Sequence, residues 1–208
     1  MNQYSDYNII PIGDHCAIPL ILKDFNLRKY SYPFDWVSNL DQLYNTNIIS
    51  NISLIHELII TDDVDDIVKK YIGDAFENNK TNSLTNIWFP HDTENIDVIY
   101  EKYKRRFIRL KSDLYKKNIF ILLTRHYYIE QSIFEQIIEQ LLNYNNDSII
   151  LFISGTNHPY IENMNNKNVI FKYIEYDISK FYDYDYTTFR PNMKIFLESF
   201  FTNYKNNV

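Results

Sequence analysis

Cysteine, glycine and long apolar runs are scarce in this chain of 208 residues. It has one cysteine, Cys16, and three glycines. A single cysteine cannot form an internal disulfide, which disfavours a disulfide-stabilised secreted fold and favours a reducing compartment. No apolar run approaches the roughly 20 residues that a transmembrane helix needs. The first residues carry neither the basic nor the apolar region of a signal peptide, so we expect a cytoplasmic protein without a membrane partner.

Several sequence motifs with well-defined chemistry are also missing. The chain has no Walker A loop, no GxGxxG turn, no GxSxG elbow and no Cys/His set with zinc spacing. We therefore predict no metal site and no cofactor. The formal net charge of −6 disfavours a nucleic-acid partner. The expected partner is a protein or small-molecule substrate, and the sequence leaves the oligomeric state open.

Aromatic side chains are abundant instead, with 19 Tyr and 14 Phe. With 45% apolar residues, this is the composition of a globular protein long enough to bury its own core. The many Asn, Ile, Lys and Tyr residues are typical of AT-rich coding sequences, as in large DNA viruses, protists or low-GC bacteria. For a viral source, the expected location is the cytoplasm of the host.

Four short, almost continuously apolar runs predict β-strands. They cover residues 7–13, 119–124, 148–154 and 169–174, and a helical pattern at 133–142 separates the second from the third. Strands that are apolar on both faces are typical of parallel sheets covered by helices on both sides. We predict a single α/β domain over residues 1–208, with a Rossmann-like, mostly parallel sheet flanked by helices.

The segments between these runs predict helices. Proline is tolerated only in the first turn of a helix, so Pro19 requires the helix over residues 17–25 to begin beside Cys16. Residues 38–41 have the form of a capping box and predict the start of another helix. Further helices are predicted at 40–60, 63–79, 94–117 and 192–204, the third of them capped by Asp92 or Thr93. The tyrosine-rich segment 173–186 is expected to be a surface excursion.

Side chains of the types that bind ligands or react follow the predicted strands. Ligands bind beyond the carboxyl ends of parallel strands, so residues at those ends are substrate-binding candidates: Gly13, Asp14, His15, Arg125 and His126. Cys16 follows the first strand at a helix N-terminus, where free N–H groups and the helix dipole stabilise a thiolate. A buried cysteine that acts only as a small apolar side chain is the alternative.

A cysteine nucleophile needs a base, and two histidines qualify. His91 lies in an aromatic loop beside Asp92, and His126 follows a predicted strand. We expect His15 to point to solvent and His56 to be structural. Asp35, between two aromatic residues, needs a partner, either a histidine or the N–H groups of the next helix.

A cationic run on the predicted helix 94–117 has two interpretations. It contains Lys102, Lys104, Arg105, Arg106, Arg109 and Lys111. Such a run can hold a phosphate group, but a solvated helix face is the more common explanation. We expect the solvated face.

Three sequence blocks together resemble a known family. They are Ile10-Pro11-Ile12-Gly13-Asp14-His15-Cys16-Ala17, then Leu27-Arg28 with Ser31-Tyr32-Pro33-Phe34-Asp35-Trp36, and finally Phe89-Pro90-His91-Asp92. This pattern is similar to a family of bacterial and large-DNA-virus proteins labelled "putative papain-like cysteine peptidase". The resemblance implies a thiol hydrolase with Cys16 as nucleophile, His91 as base and Asp35 or Asp92 orienting the base. Trp36 then joins the substrate-binding candidates, and a papain-like α+β fold becomes the alternative architecture.

Three functions from different classes follow from these observations. The first is a cysteine-dependent hydrolase, peptidase-like or acyl-transferring, with backbone N–H groups near Cys16 as the oxyanion site. The second is a nucleotide-sugar-dependent transferase in which Arg125, Arg190 and the cationic helix hold the diphosphate. The third is a non-catalytic binding protein that uses its tyrosine-rich surface.

Overall fold

The computed structural model describes residues 6–13, 15–39, 46–83, 85, 87–125, 127–164, 166–176 and 185–203. Within these ranges lie six strands and six α-helices. The strands are β1 (Asn8–Gly13), β2 (Ser38–Asn39), β3 (Ile87–Trp88), β4 (Asn118–Thr124), β5 (Ile149–Ser154) and β6 (Val169–Tyr173). The helices are α1 (Ala17–Asp24), α2 (Thr46–Thr61), α3 (Val64–Ile72), α4 (Ile96–Leu114), α5 (Gln131–Tyr144) and α6 (Arg190–Asn203).

Four strands form the main sheet in the order β1-β4-β5-β6, and every pairing is parallel. Gly13 pairs with Leu123, and Thr124 pairs with Ser154, so these strands end at one common edge. This sheet confirms the predicted α/β fold rather than an α+β arrangement. All four strands of the main sheet lie within two residues of their predicted bounds.

Helices cover both faces of the main sheet, which explains the apolar runs. Successive side chains of a strand point to opposite faces. In β4, Phe120 and Leu122 pack into a core with α2, α3, α4 and α5. Ile121 and Leu123 pack on the other face, against α1 and α6. A strand buried on both faces has no position for a polar side chain, so its sequence is continuously apolar.

The ends of three helices differ from the sequence predictions. Asn95, and not Asp92 or Thr93, caps α4: its side chain accepts a hydrogen bond from the Val98 N–H at 3.0 Å. Residues Ser38–Asn39 form β2 and open no helix there, and residues 40 and 41 lie outside the described part. α3 ends at Ile72, well before residue 79, because Gly73 terminates it with a φ of 52°.

Two short strands outside the main sheet join distant parts of the chain. β2 and β3 pair antiparallel, with Ser38 opposite Trp88. This pairing holds the loop before β2 next to the loop after β3. These are the loops that contain Trp36 and His91, so the small sheet sets their relative position.

The segment predicted as a surface excursion contributes partly to the core. Ile174 and Tyr176 are buried and pack with α6, which corrects the prediction for the start of this segment. Residues 177–184 lie outside the described residues. Among the helices of the described part, none is long and apolar enough to cross a membrane.

Candidate functional site

The carboxyl edge of the main sheet is closely packed at two glycines. A Cβ on Gly155 would lie 1.6 Å from the carbonyl oxygen of Arg125, and the Gly155 N–H donates to the Thr124 carbonyl at 2.8 Å. A Cβ on Gly13 would lie 2.8 Å from the Cβ of Leu123. The two glycines therefore bring the segments after β1, β4 and β5 together at one edge.

Cys16 lies directly at the start of α1, as the sequence predicts. It occupies the N-cap position, and its side chain makes no capping hydrogen bond. His15 takes that role instead: its Nδ1 accepts a hydrogen bond from the Ala17 N–H at 3.1 Å. The thiol is half-buried at the positive end of the helix dipole. The expectation that His15 points to solvent is thus wrong.

His15 also contacts a guanidinium group from the far end of the chain. Arg190 Nη2 lies 3.2 Å from His15 Nε2. Burial, and after it the charges of Arg125, Arg190 and His91, lower the pKa of His15 from 6.5 to about 2. His15 is therefore neutral near pH 7. Because two of these charges belong to Arg125 and His91, the structure brings both residues within electrostatic reach of His15.

His91 lies at the tip of a proline turn. The Asp92 N–H donates to the Phe89 carbonyl at 3.4 Å, so Pro90 takes the second position of the turn, where its fixed φ is favoured. Phe89 and Asp92 are buried, whereas His91 is exposed. The imidazole packs edge-on against Trp36, with ring centroids 5.5 Å apart.

Asp35 lies in a turn of the same kind, but its partner is an arginine. The Asp35 N–H donates to the Tyr32 carbonyl across Pro33. Arg28 Nη2 lies 2.7 Å from Asp35 Oδ2, and Arg28 Nε lies 3.2 Å from the same oxygen. Burial raises the pKa of Asp35, and Arg28 opposes that shift. The sequence predicted a histidine or helix N–H groups as the partner, and that prediction is wrong.

Asp92 is held by groups other than His91. Its Oδ2 accepts a hydrogen bond from the Tyr103 hydroxyl at 2.8 Å, and its Oδ1 lies 2.5 Å from Lys102 Nζ. Both partners come from α4. The structure therefore gives both predicted orienting carboxylates other partners, and Trp36 is the neighbour that contacts the His91 ring.

The structure also places two further histidines, one buried and one exposed. His158 is fully buried: its Nε2 accepts a hydrogen bond from the Ile129 N–H at 3.0 Å, and its Nδ1 donates to the Thr156 carbonyl at 2.8 Å. It holds the segment after β5 in place. His56 is exposed on α2, which corrects the prediction of a structural role. The candidates Asp14 and His126 lie outside the described residues.

Most of the cationic run on α4 is engaged by the protein itself. Lys102 pairs with Glu94, Lys104 with Asp65 and Lys111 with Asp62. Arg109 donates to the Ser31 carbonyl, and Arg106 is buried with its guanidinium over the Tyr103 ring. Of these residues, Arg105 is exposed and makes no such contact with the described part of the chain. The run is therefore an ion-paired face of the helix. This is similar to the solvated face that the sequence predicts.

Sequence reasoning undervalued two arginines. The sequence pointed to Arg190 only for the transferase alternative, yet Arg190 contacts His15. It pointed to Arg28 only as part of the motif that resembles the family, yet Arg28 packs over the Trp36 ring at 4.7 Å. The indole of Trp36 therefore has the Arg28 guanidinium and the His91 imidazole as neighbours. No local signal marks Arg190, because it lies 175 residues from His15 along the chain. In the described residues, no group of three or more His, Cys, Asp or Glu could hold a metal ion.

Comparison with known proteins identifies a family. A model of a protein family described as "Putative papain-like cysteine peptidase (DUF1796)" matches residues 7–147, more than half of the chain. The matched region contains α1, both proline turns and β4. No curated protein and no solved structure matches the chain.

Proposed function

Since the chain belongs to this family of papain-like cysteine peptidase type, we propose that it is a cysteine-dependent hydrolase or acyl transferase. Cys16 is the nucleophile and His91 is the general base. The observation that carries the proposal is the position of Cys16. It is the N-cap of a helix at the carboxyl edge of a parallel sheet, it follows His15 directly, and the charge of His91 acts on that histidine.

The two histidines can be given different roles from their surroundings. His15 is held neutral, and its Nδ1 is occupied by the Ala17 N–H. A histidine that stays neutral down to a pH of about 2 cannot form the imidazolium that stabilises a thiolate at neutral pH. His91 is exposed and can exchange protons with solvent and substrate. We therefore assign proton transfer to His91 and the positioning of the α1 N-terminus to His15.

In the proposed reaction, the Cys16 sulfur attacks the carbonyl carbon of the substrate. The carbonyl electron pair moves to oxygen, and the imidazolium of His91 gives its proton to the leaving group when that bond breaks. Water, or another acceptor in a transferase, then attacks the thioester, and His91 takes the proton of the attacking group. The thiolate of Cys16 is released at the end of the cycle.

The first turn of α1 offers few N–H groups for the oxyanion. The Ala17 N–H points to His15, and Pro19 has no N–H. Ile18 is the remaining residue between them, so we assign its N–H, with the helix dipole, to the oxyanion. This is a sparse oxyanion site, and it favours activated acyl groups such as esters and thioesters over amides.

Intact-protein mass spectrometry with a panel of p-nitrophenyl acyl esters tests the proposal. We expect release of p-nitrophenol by the wild-type protein and a transient mass increase equal to one acyl group. Both are lost in Cys16→Ala, and turnover falls at least about a hundredfold in His91→Ala. Hydrolysis by Cys16→Ala at the wild-type rate, or the lack of any acyl adduct across the panel, would overturn it.

A matched histidine control separates general-base catalysis from chemistry at the protein surface. His56 is exposed like His91 but lies on α2. We expect His56→Ala to turn over the esters at the wild-type rate. An equal loss in His56→Ala and His91→Ala would mean that the esters are cleaved by surface imidazoles.

A further inference from the structure

His158 joins the two segments that follow the central strands β4 and β5. Its Nε2 accepts a hydrogen bond from the Ile129 N–H at 3.0 Å, and its Nδ1 donates to the Thr156 carbonyl at 2.8 Å. The Tyr160 hydroxyl donates to the Ile129 carbonyl at 2.6 Å. Both polar groups of the Ile129 backbone therefore bind side chains of the segment after β5, and the imidazole holds one of them.

These contacts fix the protonation state of His158. A backbone carbonyl only accepts and a backbone N–H only donates, so Nδ1 carries the proton and Nε2 carries none. An imidazolium has a proton on both nitrogens, and its Nε2–H would face the Ile129 N–H at hydrogen-bonding distance. Once the ring is protonated, it cannot keep its contact with the Ile129 backbone.

Four aromatic rings surround this imidazole. Their centroids lie between 5.0 and 5.8 Å from that of His158, and they belong to Tyr128, Phe152, Tyr160 and Phe171. Such a shell takes the place of water around the ring and favours the neutral imidazole over the imidazolium. The stacked ring of Tyr128 offsets this in part, because aromatic faces attract cations.

The titratable groups near His158 keep the neutral form favoured. Tyr128 and Tyr160 face the ring, and a tyrosine is uncharged below a pH of about 10. Glu130, which precedes α5, and Glu135 within α5 act electrostatically on Tyr160. Burial lowers the pKa of His158 from 6.5, and one backbone hydrogen bond opposes that shift.

From this arrangement we propose that His158 is a pH-dependent latch at the carboxyl edge of the main sheet. At neutral pH the imidazole binds the segment after β4 to the segment after β5. In acid, protonation of the imidazole releases the Ile129 N–H and loosens this edge, at which Arg125 follows β4 and Cys16 follows β1. The proposal does not depend on the reaction of Cys16.

Amide hydrogen exchange of the wild-type protein, followed for single residues by NMR, tests the latch. Measured rates divided by intrinsic rates give the opening equilibrium of each N–H. Protonation of the open form at a pKa of about 6.5 limits the rise between pH 7 and pH 5 to about 25-fold. We expect a rise of at least about fivefold at Ile129, and easier opening there than at Leu122 of β4, which reports global unfolding.

Two variants separate protonation from a general weakening of this edge. In His158→Gln the amide can donate and accept but does not titrate, so Ile129 should open to the same extent at both pH values. Tyr160→Phe removes the hydrogen bond to the Ile129 carbonyl and leaves His158 in place. It should open Ile129 more at both pH values, with the pH dependence of the wild-type protein. His56→Gln, the exposed control, should change neither quantity.

A smaller rise at Ile129 in the wild-type protein overturns the proposal, and so does the full wild-type pH dependence in His158→Gln. If His158→Gln does not fold, the ring nitrogens of His158 in the wild-type protein decide. Their NMR chemical shifts should show a protonated Nδ1 and an unprotonated Nε2 at pH 7, with a pKa below 6.5. The other tautomer, or titration at or above the ordinary pKa of histidine, contradicts the latch.

Discussion

At the scale of single residues, an aromatic side chain contacts the His91 ring, whereas Asp35 and Asp92 have other partners. Trp36 contacts the imidazole edge-on at 5.5 Å, and Arg28 packs over the indole at 4.7 Å. Asp35 in turn fixes Arg28 through a hydrogen bond of 2.7 Å. Asp35 thus acts on His91 only through two intervening side chains, and we regard Trp36 as the residue that positions His91.

Replacing Trp36 tests this role. In Trp36→Ala, His91 loses its neighbour and samples other rotamers, so we expect the rate of Cys16 alkylation by iodoacetamide near pH 6.5 to fall about tenfold. Trp36→Phe keeps an aromatic edge contact and should retain most of the rate. Stopped-flow or quenched alkylation measures both. Equal rates in wild-type and Trp36→Ala proteins would show that the indole does not position His91.

The Arg28–Asp35 ion pair gives a second prediction at this scale. Asp35 is fully buried. Its removal leaves the largely buried guanidinium of Arg28 without its carboxylate partner. We expect Asp35→Ala to lower the free energy of unfolding by about 3 kcal/mol. The double variant with Arg28→Met should recover part of this loss, because no unpaired charge remains. Urea unfolding measures both, and additive losses would contradict coupling of the two side chains.

At the scale of elements, the sequence reveals those with strong periodicity and misses those without it. The strands β1, β4, β5 and β6 were predictable because burial on both faces leaves only apolar residues. β2 and β3 have two residues each and carry no pattern, although they bring Trp36 and His91 together. The cap of α4 was misplaced because Asp92 satisfies the same local rule as Asn95. Its carboxylate is instead bound to Tyr103 and Lys102.

The close approach of β4 and β5 at the site edge can be tested at Gly155. A Cβ there would overlap the Arg125 carbonyl oxygen, a backbone atom that cannot rotate away. We expect Gly155→Ala to cost about 3 kcal/mol or more, the upper range for overpacking. Gly13→Ala should cost less, because its Cβ would come no closer than 2.8 Å to the Leu123 Cβ. Thermal or urea unfolding that ranks the two variants in the opposite order would contradict this packing.

At the scale of the whole molecule, the site is assembled from residues far apart in the chain. His15 follows β1, His91 follows β3, Arg125 follows β4 and Arg190 opens α6. The sequence indicated Cys16, His15 and Arg125, because strand ends of a parallel sheet meet at one edge. It did not indicate the contact of Arg190 with His15, nor the other partners of Asp35 and Asp92. Those depend on side-chain packing between distant segments, which no local pattern records.

The neutral state of His15 should make the folded protein sensitive to acid. Its pKa is about 2 in the folded state and 6.5 ordinarily, because of burial and the charges of Arg125, Arg190 and His91. Between these values the unfolded chain binds a proton that the folded chain does not, so stability falls as the pH drops below 6.5. At pH 5 this loss is about 2 kcal/mol.

His15→Gln tests this origin of acid sensitivity. Glutamine does not titrate, so the variant should lose less unfolding free energy than the wild-type protein between pH 7 and pH 5. His158, whose pKa burial also lowers, adds a loss of the same sign that both proteins share. His56→Gln is the exposed control. Identical pH dependence in wild-type and His15→Gln proteins would contradict the burial of a neutral His15.

The pH dependence of Cys16 alkylation by iodoacetamide tests the central claim most directly, because the whole signal comes from one thiol. The account predicts an inflection well below about 8.5, the ordinary pKa of a thiol, in the wild-type protein. It predicts a shift of that inflection towards 8.5 in His91→Ala and no shift in His56→Ala. An inflection at or above 8.5 in the wild-type protein, or an unchanged one in His91→Ala, would contradict a thiolate that His91 supports.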